Sequence, residues 1–347
     1  MFSMVRAIFL KLLAFFISLI KLCPVQSQDV KFSQYFTSPL TVNPALCGLY
    51  NGQYRLMGNY RNQWQEIMYP YTSATFSAET QIHAKISEDD ILAVGFNGLT
   101  DRSNNGGLRN SSFSGTISFH KSLDMEGISR LGVGLQAAYV SKVVDYSKMT
   151  FEPQFTPIGY DISLPTNELS NGFNINYLDY SAGIMYSYLS GDLNIYGGAS
   201  VSHISRPNEN YSGFTSKLPI RYTIHGGASV AIGQLNTLYL SLMHMRTSLS
   251  NQTTVGMVYG INFNGLEDNQ SNEFLFGTWL RLNDAVVPYL GMKFGKVNAG
   301  LSYDITASKV TVANKGMGGI EFSMQVLLER DPDRETIRKL KCKFTMF

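Results

Sequence analysis

In the stretch Arg221 to Ile232, Tyr222, Ile224, Gly226, Ala228, Val230 and Ile232 fall on one face of an extended strand, with Thr223, His225, Gly227, Ser229 and Ala231 on the other. A soluble sheet can alternate in this way, but its paired face is usually filled by Leu, Phe and Ile. Here that face is thin and wettable, which is what the lumen side of a membrane barrel needs.

The alternation recurs. Phe113, Gly115, Ile117 and Phe119 alternate with Ser112, Ser114, Thr116, Ser118 and His120, and Val297, Ala299, Leu301 and Tyr303 with Asn298, Gly300, Ser302 and Asp304. The pattern predicts fourteen strands, near 52–61, 71–85, 91–99, 110–121, 130–143, 176–189, 192–203, 220–232, 236–248, 253–263, 273–282, 286–294, 297–305 and 318–329. Runs of ~10 residues suffice for a tilted membrane strand. Ser190-Gly191, Gly233 to Leu235 and Gly295-Lys296 read as tight links, whereas Thr100 to Arg109, Val144 to Ile175, Ile204 to Pro219 and Thr306 to Met317 read as long ones. Long and short links on opposite ends characterise an outer-membrane barrel, and an even strand count leaves both termini in the periplasm. Segments 249–252 and 264–272 depart from that rule.

Around this core the chain divides into four parts. Residues 1–27 form an expected export signal, with Arg6 and Lys11 ahead of an apolar run from Leu12 to Ile20 that is too short to span a bilayer. Residues 28–51, with an Asn-Pro turn signal and no long period, are expected to be a periplasmic segment or a plug ordered by what it touches. The barrel is expected over 52–329. Residues 330–347 are expected to be a basic periplasmic tail, with Lys341 to Phe347 as an alternative fifteenth strand.

Composition narrows the class. Without Arg6, Lys11 and Lys21 the 28 basic residues become 25 against 26 acidic ones, a balance that argues against a nucleic-acid binder. Beyond the signal no run of ~18 apolar residues exists, so integration is expected to depend on strands, with outer-membrane lipids as the solvent. Only Cys47 and Cys342 follow the signal. Both are expected on the oxidising periplasmic side, where a bridge would tie the 28–51 segment to the tail.

No catalytic constellation, cofactor motif or metal spacing is evident. His83, His120, His203, His225 and His244 lack metal-ligand spacing. Ser118 and His120 share a strand face, as a lipid hydrolase would require, but Ser is abundant enough that chance accounts for the pair. Tyr60, Tyr69, Tyr71, Tyr186, Tyr188, Tyr222 and Tyr289, near strand ends, suit interfacial girdles. Arg61, Gln63 and Trp64, read as a connecting loop, are of types enriched at protein interfaces or would pack into the barrel mouth.

Phe32-Ser33-Gln34-Tyr35, Asn43-Pro44-Ala45 with Gly48, Tyr60-Arg61-Asn62-Gln63-Trp64 and Pro70-Tyr71-Thr72 stand in an order that resembles the PorP/SprF family of type IX secretion outer-membrane proteins. Weaker echoes follow in Leu178-Asp179 with Gly183, around His203, in Arg281 with Asp284-Ala285, and in Ser302-Tyr303-Asp304. The tail departs from the family's Cys-Pro-Arg-Phe ending, reading Cys342-Lys343-Phe344 and running on to Phe347. The resemblance implies a non-enzymatic component of protein export and, in some members, of gliding motility. Its implied partners are the periplasmic ring lipoprotein and secreted cargo. Phe32, Gln34, Tyr35, Asn43, Pro44, Arg61, Gln63 and Trp64 are the candidate partner or plug contacts. A small-solute porin is the alternative reading, and a lipid-modifying enzyme trails behind it.

Overall fold

The computed structural model describes residues 29–328 except 66–68, 83–89, 168–171, 191, 212–213, 234, 249, 264–271 and 309–310. The export signal, His83, the tail and Cys342 lie outside the described residues, as do parts of the 190–191 and 233–235 turns.

Fourteen antiparallel strands close into one barrel. They are β1 Tyr54–Gln63, β2 Tyr71–Ile82, β3 Ile91–Ser103, β4 Leu108–Ser122, β5 Ser129–Asp145, β6 Gly172–Ser190, β7 Leu193–Ser202, β8 Arg221–Ile232, β9 Asn236–Arg246, β10 Asn251–Asn262, β11 Glu273–Arg281, β12 Ala285–Phe294, β13 Val297–Thr306 and β14 Met317–Leu328. Each pairs with its sequence neighbours, and β1 closes the ring on β14 from Tyr54↔Leu328 to Gln63↔Gly319. Closure removes the two end edges that an open fourteen-stranded sheet would offer to another chain.

The two faces are sorted as the alternation predicts. Phe113, Leu135, Ile184, Ile224 and Leu290 stand on the outer face, half or more exposed, while Thr223, His225, Ser118 and Glu79 are buried inside. An apolar exterior around a buried polar interior is stable only where lipid replaces water outside. Among the described residues no helix is long and apolar enough to cross a membrane.

Both β1 and β14 have their outer ends at the same mouth of the barrel. The opposite mouth carries the connections 146–171 and 203–220, each containing a short two-stranded hairpin. β5 and β6 stay paired out to Asp145↔Gly172 and β4 follows β5 to Leu108↔Val144, whereas β7 joins β6 only at Ala182↔Val201, so the wall steps down sharply from β6 to β7 at that mouth.

Three expectations are corrected. The Thr100–Arg109 link is a turn at 104–107, because β3 and β4 stay paired to Ser103↔Leu108. Arg61 and Gln63 belong to β1, since strand pairing continues to Gln63. Tyr289 points into the lumen, 4% exposed, whereas Tyr60, Tyr71, Tyr186 and Tyr222 face outward.

Candidate functional site

Residues 29–50 lie inside the barrel. Three single-turn helices, Tyr35–Thr37, Pro39–Val42 and Pro44–Leu46, fold the segment compactly. Asn43 caps the last of these by accepting from the Ala45 N–H at 2.9 Å, the Asn-Pro signal acting as a turn. Elements this short do not persist alone, so the barrel wall supplies their stability.

One part of that wall is ionic. Glu321 on β14 accepts from the backbone N–H groups of Ser33 and Gln34 and from Asn59 Nδ2, each at 2.8 Å. The Gln34 carboxamide is fully buried; it donates to Ser302 Oγ and the Glu321 carbonyl at 2.9 Å, and accepts from Ser323 Oγ at 2.5 Å. Asp304 accepts from Ser33 Oγ at 2.7 Å, from Arg61 at 2.5 Å and from Arg281 at 2.6 Å. Arg61 also donates to the Lys31 carbonyl at 2.5 Å. Arg61 is therefore consumed inside the lumen instead of being offered at a surface.

The lower end of the segment is held in the same manner. Arg55 pairs with Glu79 at 2.8 Å and donates to the Leu46 carbonyl at 3.2 Å, and Glu79 accepts from the Gly48 N–H at 3.2 Å. Ser118 Oγ and His120 Nε2 both meet the Cys47 carbonyl, at 2.7 and 2.8 Å. Ser118 and His120 thus serve the segment's backbone and are not arranged as a nucleophile and its base. Cys47 is buried, and its candidate disulfide partner Cys342 lies outside the described residues.

Asn43 is the hub of the far side. Its amide donates to the Ile184 and Ala199 carbonyls at 3.0 and 3.3 Å and lies 2.9 Å from His225 Nε2. A Cβ on Gly183 would sit 1.9 Å from Asn43 Oδ1, and one on Gly134 would sit 2.4 Å from the Pro44–Ala45 backbone. Glycine is needed at both places because another backbone approaches closely.

The wall of β9 to β12 is mainly apolar, between a buried Glu273–Lys293 pair 3.5 Å apart at one end and Arg281 at the other. Met243, Val258, Leu275, Trp279 and Val287 are buried there with Tyr289. Phe36 stacks on Trp279 with ring centroids 4.9 Å apart, and Tyr289 meets Trp279 edge-on at 4.9 Å. Tyr35 and Phe32 are buried in the lumen with Phe36. Trp64 stands just past β1 in the left-handed region and packs edge-on against Tyr71 at 5.4 Å, with Gln63 half-buried beside it.

At the loop-bearing mouth Asp29 lies 3.0 Å from both His203 Nε2 and Arg221 Nη1, and His203 Nδ1 lies 2.7 Å from Asp179. Burial pulls the His203 pKa down, but the two carboxylates outweigh it and raise the group to about 9. Burial raises that of Asp29, and Arg221 and His203 overcome it and hold the carboxyl well below its usual range. A cleft of about 100 Å³ opens beside this cluster, between the segment and Asn97, Asn110 and Tyr177.

Of the sequence candidates, Phe32, Gln34, Tyr35, Asn43, Pro44 and Arg61 come together in the lumen, while Gln63 and Trp64 stay at its rim. Glu321, Glu79, Arg55 and Trp279 were not singled out from the sequence. A signal was available for Glu79, a charge on a strand face otherwise lined by Ser73, Thr75 and Ser77, and for Glu321 beside Ser323, whereas the mixed inward faces around Arg55 and Trp279 carry none. Among the described residues no cluster of side chains could hold a metal ion.

A family model described as type IX secretion system membrane protein PorP/SprF matches residues 25–324. No curated protein matches the chain. Among solved structures it is similar to the Ralstonia pickettii toluene transporter TbuX, at 10% identity and a TM-score of 0.49 over 84% of this chain and 94% of that one. It is also similar to a Pseudomonas aeruginosa FadL homologue, at 11% identity and a TM-score of 0.48 over 82% and 91% of the two chains.

Proposed function

The chain belongs to the PorP/SprF family of type IX secretion system membrane proteins, and from that premise we propose that it is a plugged, non-enzymatic outer-membrane component that docks or anchors secreted surface proteins and contacts the periplasmic ring. The observation carrying this reading is the occupied lumen. Residues 29–50 are tied by buried hydrogen bonds to strands around the barrel, from Glu321 and Arg55 to Ser118, Asn43's partners and Arg221. A solute porin needs a continuous wet path, and here polar groups lining it, among them Glu321, Asp304, Glu79, Ser118 and Ser200, are bonded to the protein's own segment. Docking therefore falls to the mouths, where the connections 146–171 and 203–220 are presented.

Two measurements test it. In planar bilayers the intact protein should show no steady conductance, whereas deletion of Asp29 to Gly48 should open one. Steady conductance from the intact protein would instead establish the porin. Detergent extraction should bring down a secreted surface protein or a ring lipoprotein with the intact barrel, and recovery of the barrel alone counts against the docking role.

A further inference from the structure

The luminal segment has a direction. At one end Gln81, the next-to-last residue of β2, donates to the carbonyls of Gly48 and Tyr50 at 2.8 and 2.9 Å, and the Gln53 N–H donates to the Leu328 carbonyl at 2.9 Å. This is the mouth where β1 begins and β14 ends. At the other end Asp29 meets His203 and Arg221, which bracket the 203–220 connection, and the Lys31 carbonyl meets Arg61 near the far end of β1. The contacts between climb in order. Cys47 is held near the end of β4 at Ser118 and His120, Asn43 in mid-barrel at Ile184 and Ala199, and Ser33 near the far ends of β13 and β14 at Asp304 and Glu321. The segment therefore passes through the barrel once, from the turn-bearing mouth to the loop-bearing one.

Long connections mark the outward mouth of an outer-membrane barrel. We propose that residues 29–31 are displayed at the cell surface, held there by the Asp29 latch on His203 and Arg221, although β1 starts at the periplasmic mouth. On this reading an even strand number does not keep the amino-terminal side of the chain in the periplasm. Strand parity orients only the strands. A segment ahead of β1 and long enough to traverse the lumen reverses the side on which its far end lies. A secreted protein held at the outer mouth would meet residues 29–31 of its anchor beside the 203–220 connection. The inference rests on the outer-membrane orientation and not on the docking role.

The test places one short epitope at three positions in separate strains: immediately before Asp29, at Ile158 in the 146–171 connection, and at Gly233 in the turn after β8. Antibody binding is compared on intact and permeabilised cells, with assembly checked by heat-modifiable gel mobility. The epitopes at Asp29 and Ile158 should be reached on intact cells with no gain on permeabilisation, and that at Gly233 only after it. An Asp29 epitope that stays hidden until permeabilisation, beside an accessible Ile158 epitope, overturns the threading alone. A hidden Ile158 epitope overturns the orientation and the proposal with it. Should the tag before Asp29 block assembly, Val30→Cys in a Cys342→Ser background, labelled with a membrane-impermeant maleimide, replaces it. Labelling of intact cells is then the expected result, and labelling only after permeabilisation the contrary one.

Discussion

The luminal segment meets two unlike walls. Along β13, β14, β1 and β2 it is held by Asp304, Glu321, Arg61 and the Arg55–Glu79 pair, all nearly inaccessible to solvent. Along β9 to β12 it lies against Trp279, Tyr289, Met243 and Leu275. Burying an ion costs several kcal/mol even after relaxation, so the first wall is stable only while each charge keeps every partner. The second gains about 25 cal/mol per Å² of apolar area removed from water and asks only for a shape of roughly the right volume. The ionic wall thus selects one placement of the segment, and the apolar wall supplies adhesion that other side chains could also supply.

Glu321→Ala breaks that contrast most strongly. It strips the acceptor from the Ser33 and Gln34 N–H groups and from Asn59, and removes a carboxylate that faces Arg61 at 3.9 Å. Removing one partner of a buried ionic network typically costs ~3–5 kcal/mol. The expected outcome is a lower urea midpoint for the heat-modifiable band, together with new conductance as the segment leaves. A stable, silent variant would show that the ionic wall does not select the segment's placement. Gly183→Ala should follow, at ~1–3 kcal/mol for overpacking, because the added methyl displaces Asn43 from Ile184, Ala199 and His225. The same gel assay reads it. On the apolar wall Phe36→Leu should cost under ~1.5 kcal/mol and leave the bilayer recording unchanged. A loss as large as that of Glu321→Ala would erase the distinction between the walls.

The strands were legible because lipid imposes a period of two on each of them. All fourteen sit where alternation put them, and the main miss, 100–109, came from extending the loop beyond Asn104-Asn105-Gly106-Gly107 into Thr100 to Ser103, Leu108 and Arg109, which β3 and β4 carry on paired strand backbone. The inner face was less legible. On β9, Leu240 and Leu242 alternate with Met243 and Met245, so both faces are apolar and composition cannot say which faces lipid. The candidate site was half visible: the Phe32–Tyr35 and Asn43–Ala45 groups stood out as motifs, and Arg281 and Asp304 as weak echoes. Their meeting was hidden, because Ser33 and Asp304 lie 271 residues apart along the chain. No local periodicity encodes a contact at that separation. Tyr289 shows the same limit, since a Tyr near a strand end suits a girdle or a lumen equally until the strand's phase is known.

The smallest expected effect lies at the outer tip of the segment, where a single ionic latch replaces the dense network below. His203 is raised from 6.5 to about 9 by Asp179 and Asp29 against the opposing influence of burial, so its folded state holds the proton more tightly than the unfolded one. The stabilisation is then complete below about pH 6.5 and is lost as pH rises through about 9. Asp29 has the opposite sign: its lowered pKa makes its contribution complete above 3.8 and lost only in strong acid. Asp29 stays ionised across this range and keeps its contact with the Arg221 guanidinium 3.0 Å away, so alkaline pH loosens the latch without severing it. A nitroxide on Val30→Cys should give an immobilised spectrum at pH 6 that turns more mobile between pH 8 and 10, while a label deeper on the ionic wall, at Thr37→Cys, stays unchanged. His203→Gln should abolish the pH dependence of the Val30 spectrum. A mobile fraction at Thr37 that grows in step with that at Val30 would mean that the tip and the buried wall release as one unit, and the outer latch would lose its separate identity.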